Sequence, residues 1–251
     1  MKRILLISNS FGVDATRYLY GIARAAGEDA KIATLYIGGC SLYRHYRNMI
    51  SGERAYTLYF NGSSTGFSVS LSEALLSDEW DVVTLQQNSA SSGDTDTYVP
   101  FLKELADYVK KCVPKAQLYL HKTWAYSGDD AYARKIHSAG FETREDMLSA
   151  VYESYSDAEE MVDFHQVIPS FDAMNMLYDE VGEDTYRDGF HASFGIGRYT
   201  LACVWFETIF KKSVEGNTFC DFDVPISEDD VILAQKIAHD AVECGTYHFD
   251  D

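Results

Sequence analysis

Short runs of consecutive apolar residues alternate along this chain with longer stretches whose apolar positions recur every three or four residues. The runs are 3–8, 31–37, 81–86, 117–123 and 164–168. Continuous apolar runs of this length suit strands buried on both faces. Helical spacing covers 14–27, where Tyr18, Leu19, Ile22 and Ala26 share a face and Gly27 ends the pattern. It returns at 100–112, 144–161, 171–181, 196–210 and 227–244. In 144–161 the stripe is Met147, Leu148, Val151, Tyr155, Ala158 and Met161. Strands alternating with amphipathic helices predict a parallel sheet covered on both faces. The expected fold is therefore α/β: a three-layer α/β/α, doubly wound (flavodoxin-like) parallel sheet of about five strands. One segment departs from the pattern. Residues 55–60 and 67–70 alternate aromatic and polar side chains around Asn61-Gly62, which reads as a β-hairpin. It is expected as a small insertion near 55–70, either at the mouth of the site or as a surface ornament. No repeat, linker or low-complexity tract divides the chain, so residues 1–251 are expected to form a single domain.

Charge and cysteine content narrow the classes of function. The formal net charge is -18. Such a chain will not bind nucleic acid through its general field and is repelled by anionic membrane surfaces. The same charge also serves solubility. No apolar stretch is long enough to span a bilayer, and the run after Met1 is too short for a signal peptide core. A start at Met1 directly before a strand argues against a leader. Cys40, Cys112, Cys203, Cys220 and Cys244 are odd in number, widely spaced and without a CxxC, which fits neither a disulfide framework nor a zinc site. Reduced thiols and a cytoplasmic location are the expectation.

Ligands of doubly wound sheets bind at the carboxyl ends of the strands. Four such places hold residues with chemical potential. After the first run, Asn9-Ser10-Phe11 puts a hydroxyl at the start of a helix, whose N–H groups favour a developing negative charge. After the second, Gly38-Gly39-Cys40-Ser41-Leu42 lets backbone approach a ligand closely. After the third, Gln87 and Asn88 offer amide donors. Near the C-terminus, Asp188 lies three residues before His191, close enough to turn back and hold the imidazole in one tautomer. Each motif alone is ordinary turn chemistry. Together, and in this order, they form the parts of a nucleophile, an oxyanion hole and a base. Cys40 is read as a packed thiol, and Asp14 as the start of the first helix. His45, His121, His137, His165, His239 and His248 lack metal-ligand spacing, so no metal site is expected.

The set resembles the SGNH (GDSL-like) hydrolases, and most closely a bacterial branch with N-S-F, G-G-x-S-L, L-Q-Q and R-D-G-F-H blocks. Here these are Asn9-Ser10-Phe11, Gly38-Gly39-Cys40-Ser41-Leu42, Leu85-Gln86-Gln87 and Arg187-Asp188-Gly189-Phe190-His191. The resemblance implies Ser10 as nucleophile, His191 as general base and Asp188 as its orienting partner. It implies an oxyanion hole from the N–H of Ser10, the N–H of Gly38 or Gly39, and a side-chain amide. Two departures stand out. Asn9 replaces the family's usual aspartate, and the third block lacks G-x-N-D. Spacing points to Asn88 as the amide, whereas the closer branch points to Gln87. Trp124 and Tyr126, after the fourth strand, could wall the substrate pocket or pack in the core.

The implied activity is that of a serine esterase removing a small acyl group, acetyl first, from a carbohydrate or other polar ester. No cofactor is implied. The expected partner is a small-molecule or carbohydrate ester. The alternatives are a lipid esterase or thioesterase, and an inactive binding module on the same scaffold.

Overall fold

A computed structural model of the chain describes residues 1–244. Seven strands form one sheet: β1 (Lys2–Ser8), β2 (Ala30–Tyr36), β3 (Tyr56–Phe60), β4 (Ser63–Val69), β5 (Val82–Leu85), β6 (Gln117–His121) and β7 (Gln166–Ile168). Their order is β4-β3-β2-β1-β5-β6-β7. The five strands β2, β1, β5, β6 and β7 run parallel. The chain winds from β1 to β2 in one direction and returns to β5 on the other side, so the order reverses beside β1.

Ten α-helices accompany the sheet. They are α1 (Ser10–Thr16), α2 (Leu19–Ala25), α3 (Leu42–Ser51), α4 (Leu71–Leu75), α5 (Phe101–Cys112), α6 (Ala133–Ser138), α7 (Arg144–Met161), α8 (Ser170–Val181), α9 (Ile196–Phe210) and α10 (Glu228–Cys244). α9 packs on α1, α2, α8 and α10, while α5 packs on α3, α4 and α7. The sheet lies between these two layers, and Ile4, Leu5, Leu6 and Ile7 of the central strand are wholly buried. Burial on both faces is why these strands carry continuous apolar runs.

The expected hairpin is present, and it is part of the sheet. β3 pairs antiparallel with β2 and β4 with β3, so the hairpin extends the sheet to seven strands. Its turn lies away from the site: the Asn61 N–H donates to Ile32 O at the far half of β2 (2.8 Å). Leu58, Phe60 and Val69 of its strands line an open cleft with Ala74 and Trp80. The single helix expected over 14–27 is two. Asn9 starts the first four residues earlier, its side chain accepting from the Phe11 N–H. Tyr18 then leaves the helical path, and its hydroxyl donates to Phe194 O (2.5 Å). Asp14 is therefore inside α1 rather than at its start. The helices α3, α4 and α6 add to those expected; α3 and α4 are capped by Ser41 and Ser70, whose side chains accept from backbone N–H groups.

Candidate active site

The site forms at the carboxyl end of β1, where the strand order reverses. Ser8 ends β1, Asn9 caps the helix and Ser10 is its first residue. The Ser10 side chain is half-buried, and its hydroxyl donates to His191 Nε2 (2.9 Å). His191 Nδ1–H donates to Asp188 Oδ2 (2.8 Å). This direction of donation fixes the imidazole as the tautomer able to accept a proton at Nε2. The other Asp188 oxygen accepts from the backbone N–H of His191 (2.9 Å) and of Phe190 (3.4 Å). Burial alone would raise the Asp188 carboxyl, but its hydrogen bonds from the His191 side chain and backbone outweigh this and hold it below the usual aspartate value.

The loop that presents the pair is tightly constrained. Gly189 has φ +83°, and a Cβ there would meet the Tyr132 ring at 2.3 Å. Only glycine satisfies both conditions. Lys135 Nζ donates to Asp188 O and lies 4.3 Å from the centre of the Phe190 ring. Phe11 stacks on Trp124 at 4.0 Å and meets the His191 ring edge-on at 5.8 Å, so the imidazole rests on an aromatic floor.

Donors for an oxyanion come from three loops. The Ser10 N–H is at the unpaired first turn of α1. Gly38 and Gly39 are exposed in the turn after β2, where Cys40 N–H donates to Ile37 O (3.2 Å). Among the described residues, the N–H groups of Ser10, Gly38 and Gly39 have no protein acceptor. Asn88, after β5, is half-buried, and its Nδ2 donates to Gly39 O (3.2 Å), leaving a second N–H on the same atom. Gln87 is different. It is wholly buried. Its Oε1 accepts from the N–H groups of Leu42 and Asn88 (both 2.9 Å), and its Nε2 donates to Thr97 Oγ1 (3.0 Å) and Thr97 O (3.3 Å). All four capacities of the Gln87 amide are spent on holding loops together. Asn88 alone of the two has a donor to spare.

Asn9 is locked beneath Ser10. Its Nδ2 donates to Cys40 O (3.1 Å), and its Oδ1 accepts from Gln86 Nε2 (3.0 Å) as well as from Phe11 N–H (3.0 Å). Gln86 Oε1 in turn accepts from Ser8 Oγ–H and His121 Nδ1–H (both 2.8 Å), and His121 Nε2 accepts from Ser170 (3.0 Å). Cys40 O requires a donor, which an asparagine supplies and an ionised aspartate does not.

The sequence profile of a family described as a domain of unknown function, DUF4886, matches residues 3–241. The chain belongs to the DUF4886 family. A structure of a DUF4886 family protein from Bacteroides uniformis ATCC 8492 is 30% identical, covers 96% of this chain and 95% of its own, and superposes with a TM-score of 0.86. More distant structures share the fold. A protein from Slackia heliotrinireducens assigned to the SGNH hydrolases is 22% identical over 82% of this chain and 98% of its own, with a TM-score of 0.58. A carbohydrate esterase family 3 protein from Talaromyces cellulolyticus is 12% identical over 84% and 97%, with a TM-score of 0.55. A search of curated proteins returns no match. This DUF4886 chain thus has the α/β/α fold of the SGNH hydrolases.

Other residues singled out in the sequence lie elsewhere in the DUF4886 chain. Trp124 is wholly buried, and its Nε1 donates to Phe190 O (2.8 Å). It supports Phe11 and the His191 loop from below, in keeping with the core-packing alternative of the two readings left open for it. Tyr126 is almost as buried, with its hydroxyl on Ser89 Oγ (2.9 Å) and its ring 5.2 Å from Phe190. It too holds the loop. Burial pushes the Cys40 thiol up to about 12, so it stays protonated at neutral pH. His45 and His121 are buried and neutral, His239 pairs with Glu207 (3.1 Å), and His137 and His165 are exposed. His248 is outside the described residues. Among the described residues no three His, Cys, Asp or Glu side chains converge to hold a metal ion, and no helix is long and apolar enough to cross a membrane. What sequence reasoning missed is the support under Ser10, Asp188 and His191: Gln86, Phe11, and an ion pair between Asp14 and Arg187. Arg187 was legible only as the residue beside Asp188.

Proposed function

We propose that the protein is a serine carboxylic-ester hydrolase that removes a small acyl group, acetyl first, from a carbohydrate or similarly polar ester. The observation that carries this reading is the relay Asp188–His191–Ser10, with hydrogen bonds of 2.8 and 2.9 Å, beside three backbone N–H groups without a protein acceptor and an Asn88 amide with one N–H to spare. His191 Nε2 takes the Ser10 proton as Oγ attacks the acyl carbon. Asp188 stabilises the imidazolium, and the oxyanion is held by the Ser10 N–H, the Gly38–Gly39 turn and Asn88 Nδ2. The alcohol leaves with the proton from His191. Water, activated by the same imidazole, then cleaves the acyl-enzyme. A net charge of -18 favours neutral or cationic substrates over polyanions. The fold shared with a carbohydrate esterase is compatible with a polar carrier, and five free cysteines suit a cytoplasmic setting.

The test is reaction with a fluorophosphonate probe read by intact mass, followed by turnover of p-nitrophenyl esters of increasing chain length and of acetylated sugars. One adduct on Ser10 and a preference for acetyl over octanoyl are expected. Folded protein that stays unlabelled while a control serine hydrolase reacts would overturn the reading, leaving a binding module on a hydrolase scaffold.

A further inference from the structure

A second contact joins the two elements that carry Ser10 and His191. Asp14 lies four residues after Ser10 on α1, and Arg187 lies four residues before His191. Side chains four apart on a helix share a face, so Asp14 leaves α1 on the same side as Ser10. The Arg187 N–H donates to His191 O (3.0 Å), and Tyr186 and Ala192 form an antiparallel bridge, so Arg187 sits at the foot of the loop that His191 closes. The Ser10 Oγ–His191 Nε2 bond (2.9 Å) and the Asp14 Oδ2–Arg187 Nη1 bond (2.9 Å) are therefore two rungs between one helix and one loop.

The lower rung is built for permanence. The Asp14 side chain is only 1% exposed. Its other oxygen accepts from Arg198 Nε (2.9 Å) and Nη2 (2.8 Å), which reach it from α9. Arg187 Nη1 also donates to Ala192 O (2.5 Å), the residue after His191. Arg198 continues to Asp223 (2.8 Å), and Asp223 to Arg17 (2.5 Å), so charges alternate along the whole chain of contacts. The upper rung must break and reform whenever the imidazole takes or returns a proton. The lower rung involves guanidinium groups, which hold their charge at any working pH.

We propose that Asp14 and Arg187 are positioning residues. Their buried ion pair holds the helix bearing Ser10 at a fixed distance from the loop bearing Asp188 and His191 while the hydroxyl–imidazole bond is made and broken. The proposal rests on the catalytic reading of Ser10 given above.

The test compares Arg187→Met, Arg187→Lys and, at the far end of the charge chain, Arg17→Gln. Each is followed by active-site titration with a fluorophosphonate, by kcat and KM per titrated site, and by hydrogen exchange of the amides of residues 186–192. Small misplacements of reacting groups cost about 100-fold, and that is the expected fall in per-site kcat for Arg187→Met, with KM within about threefold. Arg187→Lys, which keeps the charge but not the planar guanidinium that lies 4.8 Å from the centre of the Phe194 ring, should recover about tenfold of it. Arg17→Gln should stay within about twofold of the wild type, since its ion pair is solvent-exposed. Amides 186–192 should exchange faster in Arg187→Met alone. Fewer titratable sites with an unchanged rate per site would mean a merely structural role and overturn the proposal. Should Arg187→Met fail to fold, Asp14→Asn removes the same charge pair, and wild-type kcat per site with wild-type exchange of amides 186–192 in that variant would overturn it equally. If the wild type itself neither labels nor turns over, the catalytic reading falls; unchanged exchange of 186–192 in the variants would then overturn the clamp as well.

Discussion

Replacing Asn88 and Gln87 in turn by alanine separates an oxyanion donor from a loop brace. Asn88 is half-buried and makes one side-chain donation, to Gly39 O. Its loss should leave the melting temperature within about 2 °C, as for most substitutions that break little packing. Loss of one oxyanion donor lowers kcat by about 10²–10³-fold, or roughly 3–4 kcal/mol of transition-state stabilisation, with little change in KM. Gln87 makes four hydrogen bonds inside the protein, to Leu42 N, Asn88 N, Thr97 O and Thr97 Oγ1. At about 1 kcal/mol net for each, Gln87→Ala should cost about 3–4 kcal/mol. For a chain of this size that lowers the melting temperature by about 6–16 °C. The assays are kcat and KM for p-nitrophenyl acetate, normalised to titrated active sites, and thermal unfolding by circular dichroism. The reasoning fails if Asn88→Ala keeps more than about half of the wild-type kcat, or if Gln87→Ala unfolds at the wild-type temperature while losing turnover per site.

Ser10→Ala and His191→Ala should each abolish turnover without unfolding the protein, and Asp188→Asn should lose less than His191→Ala because the imidazole remains; retained turnover in Ser10→Ala would exclude it as nucleophile. The Asp188 carboxyl is held below its ordinary value, so its support for folding and for His191 is complete above about pH 4 and is lost only as the pH falls through the lowered value. With Asp188 ionised there, the Asp188→Asn deficit in kcat should be fully present at pH 7–8, which a pH–rate profile measures. Burial lowers His45 and His121 to about 3. Both stay neutral in the folded chain while the unfolded chain takes up protons below about pH 6.5, so each removes about 2 kcal/mol of stability between pH 6.5 and 5. The urea midpoint should fall over that range, and His121→Gln should reduce the slope; a flat midpoint would refute the burial argument. Asn9→Asp should destabilise by about 1–3 kcal/mol, because Cys40 O loses its donor and meets a buried charge; urea unfolding at pH 7 that matches the wild type would count against that account.

Much of the architecture was written in local periodicity. The helices Arg144–Met161 and Ile196–Phe210 begin and end where the apolar spacing does. The five parallel strands follow the five apolar runs, because burial on two faces leaves few polar positions in a strand. The serine, the glycine pair and the Asp188–His191 spacing were also legible, since each is a short-range pattern at a strand end. The sequence could not choose between Gln87 and Asn88. Two adjacent amides have the same chemistry, and only the neighbours that consume one of them, Leu42 and Thr97, decide which remains available. Nor did it reveal that the hairpin joins the sheet at β2, because edge pairing depends on which strand edge is left open. Trp124 as a support rather than a pocket wall, and the Asp14–Arg187 pair spanning 173 residues, belong to the same class. Periodicity records which face of an element is buried; what that face meets is decided only when distant segments close upon one another.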